Sequence, residues 1–350
     1  MSSWRFFRGS FLWSIAGLLA AAGVGYYYSG TWAGAGEALF LAFVLSLLEA
    51  SISFDNAVVN ATVLKEMSPL WQHRFLTWGM WIAVFGMRLV FPLLIVSIVA
   101  TVNPWEAFRI AALDPHRYAS IMLSVHHEIS AFGGAFLMLV ALNYFFDYEK
   151  RTHWIRMIEV PLARMGKLHE IGIGVTLMLL WILSKAVPPE EAMTVLLSGI
   201  AGILCFLAVE GVSVFLRVPK ADKMDIHKAS LGMFLYLEVL DASFSFDGVI
   251  GAFAITNNLF IITIGLGIGA LFVRSLTILM VKKGTLDTFR YLEHGAFYAV
   301  AALATIMFVS TVHEIHEVIT GVIGILFIGA SVFSSFRENK RDRIKQGGST

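Results

Sequence analysis

Ten stretches of this chain are apolar for about the 20 residues that a helix needs to cross a bilayer. They run roughly over 11–28, 37–64, 74–101, 122–146, 169–187, 192–216, 229–255, 257–281, 291–310 and 314–336. Composition agrees: 57% of the residues are hydrophobic and 15% charged, where a soluble domain carries about a quarter. The expected fold is an all-α polytopic membrane protein. Arg5 and Arg8 precede the first apolar run with no small-residue cleavage site after it, so that run is read as a first span and not as a removed signal. The lone Cys205 excludes an internal disulfide and a Cys-based metal site. No Gly-Lys-Ser/Thr phosphate loop is present, and Gly265-Leu-Gly-Ile-Gly269 follows no strand. That glycine run reads as close helix packing, and the chain is not read as an enzyme.

The basic residues set the orientation. With the N-terminus on the cytoplasmic side, the cytoplasmic segments hold 21 of the 26 Lys and Arg residues, including the clusters at 150–167 and 217–228 and the tail from Arg337. The opposite side holds Arg109, Arg117 and Lys185, while Arg88 and Arg274 lie within spans. This asymmetry supports ten spans with both termini cytoplasmic.

Two of the spans carry the same acidic string. Glu49-Ala-Ser-Ile-Ser-Phe-Asp-Asn56 in the second span matches Asp241-Ala-Ser-Phe-Ser-Phe-Asp-Gly248 in the seventh. Five spans apart, the copies cross the bilayer in opposite directions, as in inverted-repeat transporters. Arg88 in the third span answers Arg274 in the eighth, and the string at 14–19 resembles that at 199–204. The expected organisation is therefore a five-plus-five inverted repeat: 1–187, then 188–336, then a basic tail at 337–350.

Acids inside a membrane are expensive and usually functional. On a helix, Glu49, Ser53, Asn56 and Asn60 share one face, offset by 4, 7 and 11 residues. Asp55 lies about a third of a turn away on an ideal helix, so it joins that face only if the span unwinds locally. In the seventh span, Glu238, Asp241, Ser245 and Gly248 share a face, with Asp247 off it. Arg88 and Arg274 neutralise at most two of these five carboxylates. The remainder fit a hard or borderline divalent cation with oxygen ligands, or protons, since intramembrane carboxylates form relays. Serines and asparagines in such helices are more often packing contacts. His127-Glu128, His169-Glu170 and Glu293-His294 read as interfacial residues at span starts. His313-Glu-Ile-His-Glu317 lacks the His-Glu-x-x-His spacing of zinc hydrolases, and leaves His313, His316 and Glu317 as a peripheral metal candidate.

Glu49-x-x-x-Ser-Phe-Asp-Asn56, followed by a span with Gly79 and Arg88, resembles the TerC family of membrane proteins, and Asp241-x-x-x-Ser-Phe-Asp247 fits the same pattern. The likeness covers the second, third, seventh and eighth spans. It implies a LysE-type exporter, with efflux of manganese in several branches and a bacterial inner-membrane location. Glu49, Asp55, Asn56, Asp241 and Asp247 fall on the family's acidic motif. The chain departs from it at Gly248 and Glu238. The expectation is a secondary transporter exporting a divalent cation, Mn²⁺ first, as substrate, with no organic cofactor. Glu49, Ser53, Asp55, Asn56, Asn60, Asp241, Ser245 and Asp247 are its candidate ligands. Glu238 is the candidate proton carrier, with Arg88 and Arg274 as counter-ions. The expected partners are the lipid bilayer and the ion, with no nucleic acid. Export of an amino acid or similar organic solute, and a non-transport role in metallation or assembly, are the alternatives.

Overall fold

The computed structural model describes residues 4–168, 170–217, 226–313, 315 and 317–347, without the side chains of 4, 5, 76, 217, 226–228, 246, 247, 317, 318 and 342–347. Every expected span overlies helix, the second and third in more than one segment. The first half contains α1 (Trp4–Ser29), α2 (Trp32–Ile52), α3 (Phe54–Leu64), α4 (Pro69–Trp81), a π-helical segment (Ile82–Val90), α5 (Phe91–Val99), α6 (Pro104–Leu113), α7 (Pro115–Leu123), α8 (His126–Phe145), α9 (Arg156–Met165) and α10 (Ile171–Ala186). The second half contains α11 (Pro189–Arg217), α12 (Ile226–Ala252), α13 (Leu259–Lys283), the short α14 (Thr285–Thr288), α15 (Leu292–Ser310) and α16 (Glu317–Gly347).

Among the described residues, eight helical stretches are long and apolar enough to cross a membrane, and none forms a strand. The other two expected spans are the shorter apolar α10 and the 27-residue α12, which carries the second acidic string. The chain is an all-α polytopic membrane protein. The connection expected at Thr256-Asn257-Asn258 is there: Asn258 caps α13, its Oδ1 accepting the N–H groups of Phe260 and Ile261. The small helices α6, α7, α9 and α14 lie in connections and were not expected.

Helix contacts pair up when the two halves are exchanged. The second span packs on the eighth (α2 on α13), and the seventh on the third (α12 on the π segment). The contacts α1–α2 and α11–α12, α8–α10 and α15–α16, and α3–α15 and α12–α8 are likewise matched, and α8–α15 is its own counterpart. The α1–α13, α8–α11, α10–α11 and α2–α16 contacts have no counterpart among the principal ones, so the exchange is incomplete.

Small residues set the closest of these approaches, as expected where lipid supplies no hydrophobic drive between helices. A Cβ on Gly265 would stand 2.6 Å from Leu45 Cβ, and one on Gly269 would collide with the Glu49 side chain. These two glycines, one turn apart on α13, let α2 bring Glu49 against it. Gly269→Val should therefore cost about 1–3 kcal/mol by overpacking. A lowered melting temperature of the detergent-purified protein would register it. Gly211→Val, where nothing lies within 4 Å, should leave melting unchanged.

Candidate functional site

The second span is not one helix. It breaks at Ser53, whose φ of −86° and ψ of 20° leave the helical region, and restarts as α3 at Phe54. The local chemistry favours the break. Ser53 Oγ donates to Glu49 Oε1 at 3.2 Å, and Asp55 Oδ1 accepts the N–H of Asn56 at 3.0 Å, both short-range bonds that compete with a regular helix. Asp55 thereby falls in the first turn of α3, where the helix dipole favours a negative charge. The break also brings Asp55 round to Glu49. Both line a cavity of about 30 Å³, with Ser53, Asn56, Gly248 and Thr320. That volume suits a water or a bare ion.

The two carboxylates are in different electrostatic states. Glu49 accepts a hydrogen bond from Nη2 of Arg88, and both side chains are buried. Arg88 belongs to the π segment, and its Nη1 donates to Ala83 O at 2.6 Å. Pro92 has no N–H to offer the carbonyl four residues back; that carbonyl, Arg88 O, accepts from Thr263 Oγ1 of α13 at 2.9 Å. Asp55, 5% exposed, has no basic side chain within ion-pair distance among the described residues. An uncompensated buried carboxylate calls for a cation or a proton. Beside it, Asn56 Oδ1 is buried without a hydrogen bond.

The second copy is built differently. Through Asp241–Gly248, α12 is continuous. Arg274 Nη2 stands 3.4 Å from Asp241 Oδ2 and 3.6 Å from Glu238 Oε1, its Nη1 donates to Phe75 O, and its guanidinium lies 4.2 Å over the Phe75 ring. Gly79 leaves the room for this group, since a Cβ there would strike both Glu238 and Arg274. The pair Asp241–Arg274 thus repeats Glu49–Arg88 in the other half. Asp241 and Ser245 do not line the cavity, and neither does the buried Asn60, whose Oδ1 also lacks a partner. The side chain of Asp247 lies outside the described residues. Among the described residues no three His, Cys, Asp or Glu side chains form a metal cluster.

The His/Glu pairs do not behave alike. His127 Nδ1 lies 2.6 Å from Glu191 on a half-exposed surface. His313 is exposed, while His316, His169 and the side chain of Glu317 lie outside the described residues. His294 is buried and hydrogen bonds Glu159 Oε2 at 2.9 Å. Lys150 Nζ stands 3.3 Å and His153 Nδ1 3.6 Å from the same oxygen. Glu159 Oε1 accepts the N–H groups of Trp154 and Ile155. This cluster escaped the sequence reading, which treated 150–167 as a charge signal. The available hint was Glu159 itself, the one acid in that basic run.

The chain belongs to the DUF475 family. That family is described as one of unknown function, and the match covers residues 54–342. The DUF475 region begins at the restart of the broken span, so it holds Asp55, Asn56, Arg88, Asp241 and Arg274 and leaves Glu49 and Ser53 before it. No curated protein and no solved structure matches the chain.

The Glu159 cluster gives a pH prediction. Burial would raise this carboxyl, but the His294 hydrogen bond and charge, the Ile155 N–H and Lys150 outweigh it and hold the group at about 2, against an ordinary 4.5. A depressed folded pKa gives stability that is complete above about 4.5 and is lost as pH falls towards 2. Glu159→Gln should destabilise the protein at neutral pH by about 3 kcal/mol, because it removes the carboxylate that pairs with both Lys150 and His294. It should also flatten the fall of melting temperature below pH 5, measured on the detergent-purified protein.

Proposed function

We propose that this chain is a secondary transporter that moves a hard divalent cation, Mn²⁺ first, through the cavity at the broken second span. The observation that carries the reading is Asp55, a buried carboxylate with no counter-ion among the described residues, sharing a cavity with the Glu49–Arg88 pair. A split transmembrane helix at a charged site is the device by which many transporters hold ions. Binding of a divalent cation recruits Glu49, so Arg88 acts as a tethered cation that the substrate displaces. In the other half, Glu238 is 8% exposed and neither of its oxygens has a hydrogen bond among the described residues, which suits a residue that takes up and releases a proton. The resemblance to TerC proteins supports the ion class and export. The basic-residue asymmetry supports cytoplasmic termini, and a bacterial inner membrane is the expected setting.

Export of an amino acid fits less well. A cavity of about 30 Å³ is far below the several hundred Å³ of organic-ligand sites. The terminal nitrogens of both intramembrane arginines are already engaged by carboxylates and carbonyls.

In inside-out vesicles with an imposed proton gradient, the wild-type protein should accumulate Mn²⁺, and Asp55→Asn should reduce uptake at least ~100-fold while remaining folded, as expected for losing a central charged ligand (~2.7 kcal/mol or more). Normal uptake by that variant would remove the proposal. Arg88→Gln should tighten Mn²⁺ binding about tenfold and slow turnover, because Glu49 loses its internal competitor (1.4 kcal/mol per factor of ten). Weakened binding of an amino acid by the same variant, with no effect of Mn²⁺, would favour the organic-solute reading.

A further inference from the structure

We infer that one face of α3 is the ion's passage between the cavity and the cytoplasm, and that Asn60 Oδ1 is the oxygen the ion meets on the way. The inference rests on the transport reading and deepens it, giving Asn60 a place on the route instead of in the resting site.

The buried polar atoms of α3 do not behave alike. Thr62 Oγ1 donates to Val59 O at 2.7 Å, and Asp55 Oδ1 accepts the N–H of Asn56. The amide oxygens of Asn56 and Asn60 have no hydrogen bond among the described residues, although both side chains are buried, Asn60 to 1% exposure. A buried polar atom without a partner is costly, and α3 carries two of them one turn apart.

Asn56, Asn60 and Val63, at offsets of 4 and 7 residues, share one face of the helix. Asn56 lines the cation cavity, and Val63 lines a second cavity of about 290 Å³. At about 1.5 Å per residue, Asn60 stands about 6 Å beyond Asn56 and about 4.5 Å short of Val63. The face that begins at the ion site therefore ends in the second cavity, with Asn60 between the two. At 1% exposure the passage is shut at this residue. The break at Ser53 leaves α3 free to shift without α2 and its Glu49.

The basic-residue asymmetry puts the far end of α3 at the cytoplasm. There the second cavity is lined by Glu66, Glu210 and Glu293 against one base, Lys65. Asn143 Nδ2 donates to Glu210 at 3.2 Å. A wall of net negative charge concentrates cations at its mouth. Six waters fill about 180 Å³ at about 30 Å³ each, so this cavity admits a hydrated ion and the inner one does not. The ion sheds water between them, and an amide oxygen without a partner can replace it.

The test uses the full-length protein in inside-out vesicles, whose cytoplasmic face is outward. In a Cys205→Ser background, Asn60→Cys should react with a membrane-impermeant methanethiosulfonate added outside. Val58→Cys, buried on the opposite face of α3, should not. Asn60→Leu fills similar space without the oxygen. It should cut Mn²⁺ uptake about tenfold, the size of one lost polar partner, with equilibrium Mn²⁺ binding and melting in detergent unchanged. A purely structural asparagine would lower melting instead, and a resting ligand would weaken binding. If Asn60→Leu fails to fold, the labelling decides alone. Failure of Asn60→Cys to label, or wild-type uptake by Asn60→Leu, would overturn the inference and leave the transport reading intact, provided that the wild type accumulates Mn²⁺ and Asp55→Asn does not. If the wild type moves no Mn²⁺, the transport reading fails as well.

Discussion

The structure turns on how a carboxylate is kept inside a membrane. Glu49 is tolerated because Arg88 reaches it from the neighbouring span, and Asp241 because Arg274 does the same in the second half. A buried pair of this kind is not a large source of stability, since desolvation offsets most of the attraction. Its consequence is geometric: once each arginine is committed to its acid, the helices that carry them are fixed in register. Arg88 is held further by Ala83 O, and its own carbonyl by Thr263 of α13. The close approach of α2 to α13 through Gly265 and Gly269 sets Glu49 against α13.

Against that neutralised frame, Asp55 stands out. The break at Ser53 uncouples it from the helical repeat and turns it into the cavity that Glu49 already faces. The halves diverge at this point. One carries a split helix and a π segment, the other two unbroken helices, α12 and α13.

Much of this was legible in the residues. Each apolar run overlies one or more of the helices, and the paired strings and arginines marked the acids and counter-ions that the structure brings together. The sequence left one geometric question open at Asp55, which shares a face with Glu49 only where the helix unwinds. The answer depends on side-chain bonds within Ser53–Asn56, and the same Ala-Ser-x-Ser-Phe-Asp string in α12 stays helical. Local sequence therefore permits the break without dictating it. The π segment is equally hidden: Pro92 signals a disturbed ladder but not its register. The Glu159 cluster was illegible for another reason: its buried partner His294 lies more than a hundred residues away in sequence.

The most direct test of the central claim is electron paramagnetic resonance of Mn²⁺ titrated into the purified protein. The account predicts one tightly held Mn²⁺ per chain, no hyperfine coupling to nitrogen, and loss of the bound signal in Asp55→Asn. Nitrogen coupling in the bound signal would point to histidine ligands. Either that or the absence of any bound Mn²⁺ would contradict a carboxylate and hydroxyl site at the broken span.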